Sequence, residues 1–139
     1  MAQRDVVLRW IEQLGRLVAR LLGRASAGDL ATARQQVDDA VVTLLGPLST
    51  VLPHLETGSA ADLLQDPERI FAYARLIDLE AAILQASGDL PGADDRRSRA
   101  AALAREAVAR VAEDRPDWGD WIAARAEAGQ PGGTDAADR

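Results

Sequence analysis

The chain has 139 residues, of which 47% are hydrophobic and 27% are charged, as is typical of one globular domain. It contains no cysteine, and all 16 residues in the combined Lys and Arg count are arginines. Thiolate nucleophiles, disulfides, iron–sulfur clusters, Schiff-base lysines and P-loops are therefore excluded. The net charge of -6 also argues against nucleic-acid binding, which depends on neutralising phosphates.

The sequence offers little for a metal site or a membrane anchor. Its one histidine, His54, follows Pro53 near a predicted helix end and has no second histidine beside it, so we expect no metal and no cofactor. No apolar run reaches the ~20 residues that span a bilayer. The first residues also lack a signal-peptide core, and we therefore expect a cytoplasmic protein that does not enter the membrane.

The first predicted helix covers Arg4–Leu22, where apolar residues recur at three- and four-residue steps. Its polar face carries Arg9, Glu12 and Arg16, with Asp5 and Arg9, and then Glu12 and Arg16, at the spacing of helical ion pairs. Two interpretations of this face stay open. It is a docking surface for a protein partner, or it is a solvated face whose ion pairs contribute about 0.2–0.5 kcal/mol each.

Turn residues divide the next part of the chain. Gly23 is placed to end helix 1, and Gly28-Asp29 is predicted to turn the chain and cap a second helix, which ends at Gly46-Pro47. A shorter helix is predicted over Leu48–Leu55. The segment from Ser59 to Asp62 has the form of a capping box and predicts another short helix.

The following helix is predicted to be the most enclosed element of the fold. Asp66-Pro67-Glu68 places an N-cap, a first helical residue and an acidic first turn in order, and the helix continues to about Ala86. Two adjoining apolar stripes leave it a narrow polar strip. Glu80 lies between these stripes, so its carboxylate needs a donor, for which an internal arginine is one candidate. As the alternative, Glu80 and Tyr73 border a ligand cavity.

The last part of the domain is predicted to form two more helices. Gly88-Asp89 ends the enclosed helix, and an alanine-rich helix follows over about Ala93–Ala112. A short terminal helix carries Trp118 and Trp121, which anchor it either to its own core or to a protein partner. We therefore expect a single helical domain over residues 1–129 and a disordered tail over residues 130–139.

Two turns with the same sequence suggest a known architecture. Gly28-Asp29-Leu30 and Gly88-Asp89-Leu90 are each followed by alanines at matching positions, and such turns would reverse the chain and cap the next helix. The second copy, with Ala81, Ala93 and Ala100, resembles a tetratricopeptide helical hairpin. This resemblance implies an array of antiparallel helical hairpins, with a helical insertion between the two copies.

A second resemblance covers residues 4–112. The opening segment from Arg4 to Gly15, the later Leu44-Leu45-Gly46 and the segment from Ala74 to Glu80 are similar to a family of small, uncharacterised bacterial helical proteins, a domain of unknown function. That family implies a helical fold and brings no activity with it.

Together these patterns predict an all-α fold, a tetratricopeptide-like array of about six or seven helices. We expect a protein that is not an enzyme and that mediates protein–protein interaction or self-association, with no nucleic-acid partner. The candidate contact residues are Arg9, Glu12, Arg16, Trp118 and Trp121. The alternative function is a small-molecule-binding regulatory protein with a cavity between helices, near Glu80 and Tyr73.

Overall fold

The computed structural model describes residues 2–24 and 26–129, with side chains for residues 6–24 and 26–125. Within this part of the chain the fold is all-α, and no strand occurs in it, as the sequence predicts. The predicted tail, residues 130–139, lies outside the described residues. The helices are α1 (Ala2–Arg24), α2 (Ala27–Leu45), α3 (Thr57–Leu64), α4 (Pro67–Ala86), α5 (Leu90–Arg110) and α6 (Pro116–Gly129), with 3₁₀ segments at Gly46–Thr50 and Leu52–His54.

Helix α4 is the centre of the fold. It packs most extensively on α5 and also on α1, α2 and α3. Nine of its residues are buried, more than in any other described helix. The prediction that this helix is the most enclosed element is confirmed, because its two apolar stripes each need a layer of neighbours to cover them.

The two stripes of α4 contribute to two hydrophobic clusters. Phe71 and Ile77 lie in a cluster with α3, α5 and Trp118 of α6, whereas Leu76 and Ile83 lie in a cluster with α1 and α2. Leu8, Val41 and Leu44 are partly buried and pack against both clusters. The α1–α2 hairpin is thus attached to one side of α4, and α3, α5 and α6 cover the other side.

The two similar turns of the sequence have different structures. At the second, Gly88 has φ +94° and the Asp89 carboxylate accepts the N–H of Gly92, so glycine and aspartate act as predicted. At the first, Gly28 lies inside the first turn of α2, and Ser26 is the N-cap, its Oγ accepting the N–H of Asp29. The prediction of a Gly28-Asp29 corner is therefore wrong, because a serine two residues earlier caps the helix first.

Several other helix limits also differ from the predicted ones. Helix α1 continues through Gly23, and α3 begins before Ser59, so neither residue has its predicted role. The predicted short helix over Leu48–Leu55 consists of 3₁₀ segments. Here the guanidinium of Arg99 in α5 donates hydrogen bonds to the carbonyl oxygens of Leu52 and Leu55, at 2.8 Å each. These bonds take the place of the backbone N–H donors that a continuing α-helix would supply. The predicted Asp66 cap is confirmed by its bond from the Glu68 N–H.

Candidate functional site

Glu80 lies on α4 where this helix faces α5. Its carboxylate is half-buried, and Oε1 lies 3.5 Å from Nε of Arg96. Burial raises the pKa of Glu80 above its ordinary value, the charge of Arg96 opposes that rise, and Asp38 of α2 adds to it. The structure thus places an arginine beside Glu80, as the ion-pair interpretation expects.

Tyr73 lies two turns earlier on α4 and is separated from the space beside Glu80. Its ring is buried in the cluster with α3 and α5. Burial raises the pKa of the phenol, and a hydrogen bond with Arg99 opposes that rise. Tyr73 is not among the residues that line the cleft beside Glu80. Seven residues along a helix keep two side chains on one face but about 10 Å apart.

Trp118 is the anchor of α6 on the core. Its side chain is 1% exposed and stacks on Phe71, with ring centroids 4.4 Å apart and planes 10° apart. The guanidinium of Arg115 lies 4.2 Å from the Trp118 ring centroid. The indole of Trp118 is therefore enclosed by its own chain and offers no surface to a protein partner. The prediction that Trp118 is a protein-contact residue is wrong for this reason.

Trp121 is half-buried beside the same aromatic residue. Its ring meets Phe71 edge-on at 5.4 Å, and the guanidinium of Arg125 lies 4.2 Å from its centroid. Arg125 is fixed in turn by Asp78 of α4, with Nη2 and Oδ2 3.1 Å apart. A wall of alternating aromatic rings and arginines thus forms between α4 and α6.

This wall borders a groove between α1, α4 and α6, which we call the Arg75 groove. The sequence did not predict it. Its volume is about 240 Å³, and its lining includes Glu12, Arg75, Asp78 and Arg125. The helices approach closely beside it, since a Cβ on Gly15 would lie 3.8 Å from Leu79 Cδ2. Of the predicted contact residues, Glu12 lines the groove. Trp121 lies next to the groove, and its ring centroid is 5.9 Å from the guanidinium carbon of Arg75.

The guanidinium of Arg75 is the unusual group in this groove. It is half-buried and, within the described part of the chain, makes neither a hydrogen bond nor an ion pair. Burial lowers the pKa of Arg75, and the like charge of Arg125 lowers it further, whereas Glu12 and Asp78 oppose the shift. The cation is therefore partly desolvated, and its partners among the described residues are the Phe71 and Trp121 rings, whose centroids lie 6.0 and 5.9 Å from its guanidinium carbon.

The outer face of α1 is exposed at all three predicted positions, Arg9, Glu12 and Arg16. The predicted ion pair between Glu12 and Arg16 does not form, although both side chains belong to the described residues. The side chain of Asp5, predicted to pair with Arg9, lies outside the described residues. Arg9 and Arg16 are not among the residues that line the Arg75 groove, so the structure does not bring the five candidates into one site.

Among the described residues, no group of three or more His, Cys, Asp or Glu side chains could hold a metal ion. No helix in residues 2–24 or 26–129 is long and apolar enough to cross a bilayer. No family model, curated protein or solved structure matches the chain. The resemblance to a bacterial family of unknown function therefore stays a prediction.

Proposed function

We propose that this chain is a non-enzymatic helical protein that binds another protein, and that the Arg75 groove receives a carboxylate of that partner. The observation that carries the proposal is the half-buried guanidinium of Arg75, which makes no hydrogen bond or ion pair with any of the described residues. A carboxylate from outside would restore the hydrogen bonds and the opposite charge that burial has removed. A planar guanidinium can hold such a group through two parallel bonds.

The surroundings of Arg75 favour a side chain or chain terminus of a protein as the occupant. Asp78 is engaged by Arg125, so the nearest carboxylate on the same helix is not free for Arg75. Trp121 offers an aromatic surface next to the groove, and such surfaces anchor many protein interfaces. The volume of about 240 Å³ is below the ~300–1,000 Å³ of pockets that enclose whole drug-sized molecules.

The packing order of the helices supports a tetratricopeptide-like arrangement, which is part of the proposal. The α1–α2 hairpin packs on α4, α4 pairs with α5, and α6 packs on α5. The 3₁₀ segments and α3 then form an insertion between two hairpins. Stacked helical hairpins curve, and their curvature creates open surfaces that bind partner chains.

The test is a selection of displayed random peptides on the immobilised full chain. We expect enrichment of peptides with Asp, Glu or a free C-terminus. Arg75→Leu should weaken their binding by about 10- to 150-fold, as expected for loss of a charge-assisted hydrogen bond. Arg105→Leu is the matched control, because Arg105 is exposed on α5 and does not line the groove.

Two results would contradict this function. The first is enrichment of peptides without any acidic group, which would show that Arg75 does not bind a carboxylate. The second is equal peptide binding by the wild type and a folded Arg75→Leu variant. Sedimentation velocity over a range of concentrations tests whether the partner is a second copy of the chain. In that case Arg75→Leu should dissociate the assembly and Arg105→Leu should leave it intact.

A further inference from the structure

A second cleft lies where α2, α4 and α5 meet, away from the Arg75 groove. It has a volume of about 240 Å³ and is named here the Glu80 cleft. Its charged lining consists of Arg34 and Asp38 from α2, Glu80 from α4 and Arg96 from α5. Four charged groups of both signs thus surround a space as large as about eight water molecules.

These charges do not neutralise one another through good contacts. The one ion pair among them joins Glu80 to Arg96 at 3.5 Å, which is long for a hydrogen bond. Arg34 and Asp38 stand one turn apart on α2, a spacing that favours ion pairs, yet neither makes an ion pair or hydrogen bond within the described residues. Arg34 and Asp38 therefore remain available to a ligand, and Glu80 and Arg96 can exchange their long contact for bonds to a ligand that offers the opposite charges.

The rest of the lining is apolar. It consists of Val37, Ile83 and Leu84, of which Val37 and Ile83 are 0% and 2% exposed and Leu84 is partly exposed. A ligand that fits must therefore combine a positive group, a negative group and a short hydrocarbon part. A ligand with one charge would satisfy half of the rim.

We propose that the Glu80 cleft binds a small zwitterion, an α-amino acid with an aliphatic side chain. Its ammonium group pairs with Asp38 and Glu80, its carboxylate pairs with Arg34 and Arg96, and its side chain contacts Leu84. This site is separate from the Arg75 groove and does not depend on the function proposed for that groove.

Isothermal titration calorimetry of the full chain with L-leucine tests the site. Two analogues each lack one charge: 4-methylpentanoate has no ammonium group, and 3-methylbutylamine has no carboxylate. We expect leucine to bind at least about tenfold more tightly than either analogue, because each loses one set of charge-assisted bonds. Valine and alanine, which have shorter side chains, are titrated in parallel.

Variants at the exposed rim keep the fold intact while removing one charge each. Arg34→Gln and Asp38→Asn should each weaken leucine binding by about tenfold or more. Asp39→Asn is the matched control, since Asp39 is the next residue on α2 and bonds to Gln35 outside the cleft. Circular dichroism confirms that each variant is folded.

Three results would overturn the proposal. The first is no heat of binding with leucine, valine or alanine up to about 10 mM. The second is equal affinity for leucine and its single-charge analogues, and the third is unchanged leucine binding by Asp38→Asn. Because Arg75→Leu leaves this cleft untouched, leucine binding by that variant separates failure of one site from failure of the other.

Discussion

The attachment of α6 to the core depends on one side chain, and its removal gives the most direct test of the packing. Trp118 is 1% exposed, lies within 4.4 Å of the Phe71 ring centroid, and joins α6 to the cluster that also contains α3, α4 and α5. Trp118→Ala would leave a cavity of indole size that the surrounding helices cannot fill. A fully buried large aromatic residue replaced by alanine typically costs about 3–5 kcal/mol.

This loss can be converted to a melting temperature. An unfolding entropy of roughly 2.1 cal/mol/K per residue gives ~0.29 kcal/mol/K for a chain of 139 residues. The melting temperature should therefore fall by roughly 10–17 °C. The melting temperature of Trp118→Phe should fall much less, because this variant keeps an aromatic ring stacked on Phe71. It also removes an indole N–H that is buried without a hydrogen-bond partner, which offsets part of the lost packing.

Differential scanning calorimetry and urea denaturation of Trp118→Ala, Trp118→Phe and Trp121→Ala provide the measurement. Trp121 is half-buried, so its truncation should cost less than that of Trp118. A fall of less than about 3 °C for Trp118→Ala would refute the reasoning. A larger loss for Trp121→Ala than for Trp118→Ala would refute it as well.

Two further predictions concern the turns and the ionised groups. Gly28→Ala should stabilise the chain by about 0.5–1 kcal/mol, because Gly28 is helical and an added Cβ would meet open space. Gly88→Ala should destabilise the chain by about 1–2 kcal/mol, because an alanine is strained at φ +94°. Equal effects in urea denaturation would show that the two turns are alike after all. Burial raises the pKa of Glu80 above 4.5, so the folded state binds this proton more tightly than the unfolded state, and stability is lost as pH rises through the folded pKa. Glu80→Gln should therefore be more stable than the wild type at neutral pH, with a gain that shrinks towards pH 4.5, and a constant difference across this range would contradict the shift.

The sequence predicted the helices better than their limits. Long amphipathic patterns identify α1, α2, α4 and α5 because burial of an apolar face dominates local preferences. Helix ends depend on competition between neighbouring residues. Ser26 and Gly28-Asp29 could both begin α2, and the cap that forms is Ser26, whose Oγ accepts the N–H of Asp29.

The clefts were harder to predict than the fold. Arg75 and Asp78 are three residues apart and therefore share a face of α4, but the sequence does not show which helices flank that face. The Arg75 groove needs Glu12 of α1 and Arg125 of α6, which come from opposite ends of the chain. Glu80 was recognised because a carboxylate between apolar stripes must find a donor. Arg34 and Asp38 are exposed on α2, and no pattern in the sequence relates them to Glu80.

The two clefts share the same hydrophobic cluster, because Val37 and Ile83 in the Glu80 cleft and Ile11 and Leu79 in the Arg75 groove all belong to or pack on the cluster of α1, α2 and α4. The Arg75 groove has one wall from α1, and the Glu80 cleft has one wall from α2, while α4 supplies a wall of each. A movement of the α1–α2 hairpin relative to α4 would therefore change the width of both at once. An occupant of either site would restrict the movement of the hairpin. Binding at the second site would then cost the protein less conformational entropy. The two sites would then be linked thermodynamically, each raising the affinity of the other by the same factor.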